Sequence, residues 1–260
     1  MTKPNILLNI LNSNDPSGDL SKLDSTGFLS LILPELTNLK NGISKVSHKD
    51  NFIHTLQVIK QTRMVSNDPW LIFVSIFHDI GKDKTKRYHA KNGWSFHNHE
   101  DESSKMIVDI FNRFDLDKTK LEWCQKVIKY HGIPKEIAKK EISGSAIRRF
   151  DKECFDVIDE LLLFSKCDIT TKYDDKRKSY VDKVDYLKNR LYELRELDKV
   201  REYQIPVDGL TIMKDFGVKP GKVLGDIKTK CKEAVISKEI EPDYVSVYKY
   251  IKKLVENGVS

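Results

Sequence analysis

The fold of this chain is decided by residues 70–82, which read WLIFVSIFHDIGK. This stretch is apolar on nearly every side as far as its histidine, which is typical of a helix at the centre of a protein core. Pro69 suits the first turn of that helix, and Gly81 predicts its end. The sequence therefore predicts a buried central helix with two adjacent metal-binding side chains, His78 and Asp79, at its C-terminal end.

The rest of the chain also shows helical periodicity, and no alternating apolar and polar pattern is long enough to predict a strand. We therefore predict an all-α fold, a helical bundle with a long charged helix and a small helical C-terminal tail. The predicted parts are an irregular N-terminal segment at 1–20, a main domain at 21–174, a helical arm at 175–202 and the tail at 203–260. The arm has an apolar seam with coiled-coil spacing, formed by Tyr180, Val184, Leu187, Leu191 and Leu194.

Composition limits the classes of protein that the chain could be. The 260 residues carry a formal net charge of +6, which permits a phosphate-bearing partner but falls short of a dedicated nucleic-acid binder. The sequence has four cysteines with no close pair, which predicts reduced, mostly buried thiols. With no signal peptide and no apolar run of bilayer length, we expect a soluble cytoplasmic protein without a membrane partner. The oligomeric state stays open.

Further metal-binding side chains accompany the doublet, each on or at the end of a predicted helix: His54, His99, His131 and Asp168. Any one of these histidines alone could be a packed or capping side chain. A buried lone carboxylate such as Asp168, however, is costly unless a metal or a hydrogen-bond donor pairs with it. His54, His78, Asp79 and Asp168 together make one complete ligand set.

Mixed imidazole and carboxylate ligands suit Mn, Fe, Co, Ni or Zn better than Mg. Adding His99 and His131 makes a site for two ions plausible, with Asp79 bridging them and a metal-bound hydroxide as the nucleophile that attacks phosphorus. His97 competes with His99 for the ligand role. We expect His48 and His89 at the surface or at the rim of the site.

Basic residues near the doublet are candidates for binding substrate phosphate: Lys82, Lys86 and Arg87. Lys82 could instead be an exposed helix-end lysine. Arg148 and Arg149 are further candidates, although at most one of two adjacent arginines can face a cleft. The polar segment 83–98 predicts an irregular loop that borders the substrate entrance.

The spaced His54, His78, Asp79 and Asp168 resemble the signature of the HD superfamily of metal-dependent phosphohydrolases. Several motifs narrow the resemblance to the HD-containing C-terminal part of bacterial tRNA nucleotidyltransferases, the CCA-adding enzymes. The resemblance extends over about residues 20–255, and the motifs lie at 27–29, 33–36, 48–56, 78–82, 93–100, 146–150, 167–171, 207–209, 212–213 and 217–225.

This resemblance implies that 21–174 is an HD phosphohydrolase domain, with His54, His78, Asp79 and Asp168 as metal ligands. His99 and His131 match the additional ligands of binuclear HD enzymes. The resemblance also implies activity on 2′,3′-cyclic phosphates and 2′-nucleotides, and a tail that contacts tRNA. The family's nucleotidyltransferase head has no counterpart here, so we do not expect nucleotide addition by this chain alone.

Our first hypothesis is a phosphohydrolase that acts on a nucleotide or an RNA 3′-end phosphoester, with Asp79 and Lys82 as its catalytic residues and one or two divalent transition-metal ions as its cofactor. Signals made of cyclic mono- or oligonucleotides are alternative substrates. A different hypothesis is an RNA-binding module, with tRNA as its candidate partner, that works with a separate nucleotidyltransferase chain.

Overall fold

A computed structural model describes residues 3–42, 50–91, 93–139 and 143–257. The chain divides into two compact units, residues 1–188 and 189–260, and the division falls inside one long helix. The all-α prediction is confirmed, since helices account for nearly all of the regular structure in the described residues. None of the helices in these ranges is long and apolar enough to cross a lipid bilayer.

The first unit contains twelve complete α-helices among its described residues, together with two short 3₁₀ turns at Leu39–Gly42 and Lys118–Lys120. The helices are α1 (Lys3–Leu11), α2 (Pro16–Ser25), α3 (Leu29–Ile32), α4 (Pro34–Asn38), α5 (Asn51–Val65), α6 (Pro69–Phe77), α7 (Lys82–Thr85), α8 (His99–Arg113), α9 (Leu121–Tyr130), α10 (Ile133–Lys139), α11 (Gly144–Cys154) and α12 (Ile158–Cys167). The long helix α13 (Asp174–Glu202) begins in this unit.

Helix α6 lies at the centre of the first unit. Every residue from Leu71 to Phe77 is buried, and the helix packs against α5, α9 and α12. Asp68 caps its N-terminus by accepting a hydrogen bond from the backbone N–H of Trp70 at 2.8 Å. The regular helix ends at Phe77 rather than near Gly81 as predicted, and a tight turn carries His78 and Asp79.

Residues 1–20 were predicted to be irregular, and this prediction is wrong. The described part of this segment, residues 3–20, forms α1 and the start of α2, and Leu7, Ile10 and Leu11 bury their side chains at helical spacing. Asp15 caps α2 by accepting a hydrogen bond from the backbone N–H of Gly18 at 2.9 Å. The polar residues that suggested a loop therefore mark a helix start, because the side chains that favour turns also favour N-caps.

The segment 83–98 is also more ordered than predicted. It contains α7 and a two-stranded antiparallel hairpin, β1 (Arg87–His89) and β2 (Gly93–Ser95), in which Tyr88 is paired with Trp94. Strands of three residues are too short to produce a recognisable alternating pattern. The second strand and the residues after it nevertheless border the main cleft, as expected of this segment.

The second unit has its own small core. Its helices are the end of α13, then α14 (Gly209–Phe216), α15 (Lys222–Ile236) and α16 (Tyr244–Glu256), in agreement with the predicted helical tail. The buried residues of this core are Val207, Ile212, Ile227, Cys231, Val247 and Ile251. Along α13 the predicted seam is buried at Val184, Leu187, Leu191 and Leu194, while Tyr180 is half-buried.

Candidate metal centre

Four histidines and two aspartates meet at one place in the first unit. His54 projects from α5, and His99 is the first residue of α8. The others follow the last residues of helices: His78 and Asp79 after α6, His131 after α9 and Asp168 after α12. The side chains of His54 and His99 are 15% exposed, and the other four are buried. The cluster therefore has an open side at His54 and His99.

Asp79 lies between two groups of imidazoles. Its Oδ2 atom is 3.5 Å from Nε2 of His54 and 3.3 Å from Nε2 of His78. Its Oδ1 atom is 3.2 Å from Nε2 of His99 and 4.0 Å from Nε2 of His131. A carboxylate with its two oxygens turned to different ligand groups has the arrangement of a bridging ligand.

Asp168 completes the first of these groups. Its Oδ1 atom is 2.9 Å from Nε2 of His54 and 3.5 Å from Nε2 of His78. Three overlapping sets of side chains have ligand atoms within 4.8 Å of one another, which is close enough to share a cation. These sets are His54, His78 and Asp79; His78, His131 and Asp168; and Asp79, His99 and His131.

Backbone carbonyls orient three of the four imidazoles. The Nδ1 atoms of His78, His99 and His131 lie 3.1, 2.9 and 2.6 Å from the carbonyl oxygens of residues 75, 96 and 128, respectively. A carbonyl oxygen only accepts, so each Nδ1 carries the proton, and in a neutral ring Nε2 presents a lone pair. Holding the Nδ1 proton in this way is the usual second-shell arrangement of metal-binding histidines.

The consequence is that lone pairs of nitrogen face lone pairs of carboxylate oxygen inside the protein. Nε2 of His78 and Oδ1 of Asp168 are both buried and, among the described residues, lack a partner in hydrogen-bonding geometry. Such an arrangement is unfavourable unless a proton or a cation lies between the atoms. The donor set therefore fits a divalent transition metal.

Without a metal, protons and lysines balance the charges. Burial alone would lower the pKa of His78, but the neighbouring carboxylates of Asp79 and Asp168 outweigh it and raise that pKa to about 9. Burial and the adjacent positive charge of His78 lower the pKa of His131 to about 3. Although burial opposes ionisation, His78 and Lys82 hold the pKa of Asp79 well below its usual range. In the same way, Lys135 and hydrogen bonds from His54 and His78 outweigh burial and hold the pKa of Asp168 well below its usual range, so both aspartates are charged at neutral pH.

Two lysines contact the two carboxylates. Lys82 donates a hydrogen bond to Oδ2 of Asp79 at 2.5 Å. Lys135 forms an ion pair with Oδ2 of Asp168, and its Nζ is 3.4 Å from the backbone oxygen of the same residue. Sequence analysis did not identify Lys135, because a single lysine in a polar segment carries no signal of a partner elsewhere in the chain.

A cleft of about 920 Å³ opens onto the cluster. Five of the six clustered side chains line it, all except His78, together with Lys82 and Lys135. The remaining wall includes three aromatic residues and a lysine, Trp94, Phe96, Tyr130 and Lys129, and three acidic residues, Glu100, Asp101 and Glu136. The cleft can therefore accommodate a ligand with an anionic end at the cluster and a flat apolar part beside the aromatic rings.

The other predicted substrate-binding residues lie elsewhere, which corrects their expected placement. None of Lys86, Arg87, Arg148 and Arg149 is among the described residues that line this cleft. The ammonium of Lys86 lies 4.2 Å from the centre of the Trp94 ring, and Arg87 lines a neighbouring cavity of about 560 Å³. Lys86 and Arg87 follow α7 into the hairpin, and Arg148 and Arg149 lie on α11, so proximity in sequence to the doublet or to a helix start did not place them in the cleft.

The structure separates the competing histidines. His99 contacts Asp79, while His97 is exposed at the rim of the cleft. His89 is exposed on the hairpin, where its Nε2 lies 3.1 Å from the hydroxyl of Ser95, and His48 lies outside the described residues. Sequence spacing could not distinguish His97 from His99, because the choice depends on where α8 begins.

Further residues around the cluster were not assigned a role from sequence. The Nδ1 atom of His54 lies 2.7 Å from the hydroxyl of Thr170, and Nδ1 of His99 lies 3.1 Å from Oε2 of Glu100. Glu100 directly follows His99 and Thr170 lies two residues after Asp168, and both fall within the motifs at 93–100 and 167–171. Thr170 and Glu100 therefore restrict the orientation of the two partly exposed imidazoles, those of His54 and His99.

Comparisons with known proteins show which sequences this chain resembles. The chain is similar to the Multifunctional CCA protein of Legionella pneumophila (strain Lens), 30% identical over 125 residues that make up 46% of this chain and 30% of the relative. The corresponding protein of Methylococcus capsulatus is 25% identical over 177 residues, 64% of this chain and 40% of the relative. That of Haemophilus influenzae (strain PittGG) is 26% identical over 204 residues, 72% of this chain and 47% of the relative.

The chain thus spans less than half the length of each of these curated relatives. The similarity supports the resemblance to CCA-adding enzymes that the motifs indicate. The model of the HD domain family matches residues 51–190, more than half of the chain, and this range includes all six clustered side chains. The protein belongs to the HD domain family.

Proposed function

We propose that this protein is a metal-dependent phosphohydrolase that acts on nucleotide or RNA-end phosphoesters, such as 2′,3′-cyclic phosphates. The observation that carries the proposal is the position of Asp79, whose two oxygens face separate groups of imidazoles. Membership of the HD domain family supports the general reaction.

His54, His78, Asp79 and Asp168 would hold one divalent ion, and Asp79, His99 and His131 a second. Bound ions of this kind supply Lewis acidity toward phosphoryl oxygens and lower the pKa of bound water. The protein contributes the fixed imidazole orientation, the buried negative charge and a cleft that admits a phosphoester.

Lys82 would act on the substrate itself. Its ammonium lines the cleft and lies beside Asp79, so an anionic phosphoryl group that reaches the cluster comes within range of this positive charge. Charge-assisted hydrogen bonds of this type are strong, and they strengthen as negative charge develops on the phosphoryl oxygens.

Two observations favour a nucleotide or RNA end as the substrate. Trp94, Phe96 and Tyr130 line the cleft, and aromatic rings are suitable surfaces for stacking a nucleobase. The similarity to Multifunctional CCA proteins also supports an RNA-related substrate. Cyclic mono- or oligonucleotides also combine a nucleobase with a phosphodiester, so the experiment below includes a 3′,5′-cyclic nucleotide.

The second candidate, an RNA-binding module that works with a separate nucleotidyltransferase, rests on a different observation. The similarity to the Haemophilus influenzae protein spans 72% of this chain, which extends beyond the length of the HD match. A gel-shift assay with tRNA at low and high salt separates specific binding from general charge attraction. Salt-resistant binding without turnover would favour this candidate.

The experiment that tests the first proposal is turnover by metal-stripped protein to which Mn, Co, Ni, Zn or Mg is added. The substrates are a 2′,3′-cyclic nucleotide, a 2′-nucleotide, a 3′,5′-cyclic nucleotide and an aryl phosphodiester. We expect metal-dependent hydrolysis that is lost in His54→Ala and retained in His89→Ala, because His89 lies outside the cluster. No hydrolysis of any substrate with any of the metals would contradict the proposal.

A further inference from the structure

The metal cluster has two buried carboxylates, and each is paired with a lysine from a different helix. Lys82 at the start of α7 contacts Asp79, and Lys135 in α10 contacts Asp168. Both ammonium groups line the same cleft. The two lysines thus have equivalent relationships to the cluster, although only Lys82 lies in the sequence motif that contains the doublet.

Lys135 holds this position at a cost in side-chain entropy. A lysine with four rotatable bonds loses conformational freedom when it is fixed. Its side chain is 27% exposed, so the ammonium keeps a path to the cleft instead of being sealed into the core. Lys129 lines the same cleft, but its ammonium pairs with the half-exposed side chain of Asp101 at 3.4 Å and not with a carboxylate of the cluster.

We propose that Lys135 is a second phosphate-binding residue of the active site. It neutralises Asp168 in the metal-free protein and donates hydrogen bonds to a nonbridging oxygen of the substrate phosphoryl group when metal is bound. This inference rests on the proposed phosphohydrolase function. A carboxylate that also serves a divalent cation attracts an ammonium less strongly, and an arriving phosphoryl group offers the ammonium new negative charge within reach.

The alternative is that Lys135 only compensates the buried charge of Asp168. The two roles differ in what a neutral replacement changes. Loss of a purely compensating lysine would alter folding stability and metal affinity, because Asp168 would lose its partner. Loss of a phosphate-binding lysine would weaken the binding of phosphate to protein that still holds its full complement of metal.

The test is a calorimetric titration of inorganic phosphate into metal-loaded protein. Metal content and steady-state kinetics are measured on the same preparations. We expect Lys135→Gln to weaken phosphate binding and raise KM by about ten- to hundredfold, the loss typical of a hydrogen bond to a charged group. Its metal content is expected to equal that of the wild type. Lys126→Gln is the matched control, because Lys126 pairs with Asp156 at 2.6 Å and is not among the described residues that line the cleft. It should bind phosphate normally, and Lys135→Arg should recover most of the affinity. If Lys135→Gln does not fold, Lys135→Met provides a second neutral variant of similar length.

Phosphate affinity and KM that stay at wild-type values in Lys135→Gln would overturn the inference, even if metal content fell. That result leaves the proposed function intact when the wild type is active. Wild-type protein that binds phosphate through Lys135 but hydrolyses nothing would instead support the inference while the proposed function failed. A metal-loaded wild type that binds no phosphate would overturn the inference directly.

Discussion

The Nε2 atom of His99 lies 3.2 Å from Oδ1 of Asp79, which joins the first residue of α8 to the turn after α6. Gly81 makes this approach possible. A Cβ atom on Gly81 would lie 2.4 Å from the carbonyl oxygen of His99 and 2.6 Å from the backbone nitrogen of Ser103. The glycine N–H also donates to the Ser103 hydroxyl at 2.8 Å. The glycine of the motif therefore positions α8 against the cluster.

Gly81→Ala tests this close contact. Because the obstructing atoms are backbone, α8 must shift, and we expect a loss of about 1–3 kcal/mol in the free energy of unfolding together with weaker metal binding at His99. Denaturant unfolding and metal analysis measure both effects. Gly225→Ala is the matched control, since a Cβ there meets nothing within 4 Å, and its unfolding free energy should change by less than about 1 kcal/mol. Gly81→Ala protein with wild-type stability and metal affinity would refute the positioning role.

The number of bound ions should depend on His99 and His131 but not on His97. We expect two ions per wild-type chain, since Asp79 faces two ligand groups, and about one in His99→Ala or His131→Ala. Elemental analysis of protein loaded with Mn or Co measures the ratio. His97→Ala serves as the control, and a lower ion count in that variant would transfer the ligand role from His99 to His97.

Stacking on Trp94 should contribute to recognition of a nucleobase. We expect Trp94→Ala to reduce kcat/KM for a 2′,3′-cyclic nucleotide by about tenfold or more, because loss of base stacking costs roughly 1–3 kcal/mol. Glycerol 1,2-cyclic phosphate lacks a base and should be hydrolysed at an unchanged kcat/KM. Equal losses for both substrates would indicate that Trp94 only supports the hairpin.

The helix caps of the second unit should make its unfolding free energy depend on pH in the acidic range. Asp208 accepts a hydrogen bond from the backbone N–H of Thr211 at 2.8 Å, and Asp243 accepts one from that of Ser246 at 3.0 Å. The bond from Thr211 lowers the pKa of Asp208, and hydrogen bonds from the side-chain hydroxyl and the backbone N–H of Ser246 lower the pKa of Asp243. A lowered folded-state pKa stabilises the protein above the unfolded value of about 3.9, and this contribution is lost as the pH falls through the folded value.

Replacing both capping aspartates by asparagine removes the ionisable carboxyl groups but keeps a side-chain oxygen that accepts the hydrogen bond. The double variant Asp208→Asn, Asp243→Asn should therefore lose less unfolding free energy than the wild type between pH 6 and about pH 2, a range that extends well below the unfolded carboxyl pKa of about 3.9. Denaturant unfolding followed by circular dichroism across this range measures the difference. The interpretation fails if the two proteins lose stability in parallel.

The sequence allowed prediction of the features that depend on local pattern. The apolar run up to Phe77 predicted the central helix, and metal-binding residue types at helix ends predicted a cluster that the structure brings together. The roles of these side chains in holding a metal stay predictions. Helix caps and the apolar seam of α13 also depend on residue types that lie within a few positions of one another in the chain.

Features that depend on tertiary structure could not be predicted. Lys135 meets Asp168 only because α10 packs near α12, and the carbonyls that orient the imidazoles belong to the turns in which each histidine lies. The N-terminal helices were missed because Asp15 and Pro16 favour both loops and helix starts. Arg148 and Arg149 were misplaced because the direction of α11 relative to the cleft has no signature in its sequence.

The measurement that tests the central claim most directly is metal content and phosphodiester hydrolysis in Asp79→Asn. Asparagine has nearly the shape of aspartate but no negative charge, so a bridging role should be lost while the fold is kept. We predict that bound metal is reduced and that kcat falls at least about a hundredfold, since even indirect partners of metal ligands contribute about 10–100-fold. An Asp79→Asn protein with wild-type metal content and wild-type turnover would contradict the account.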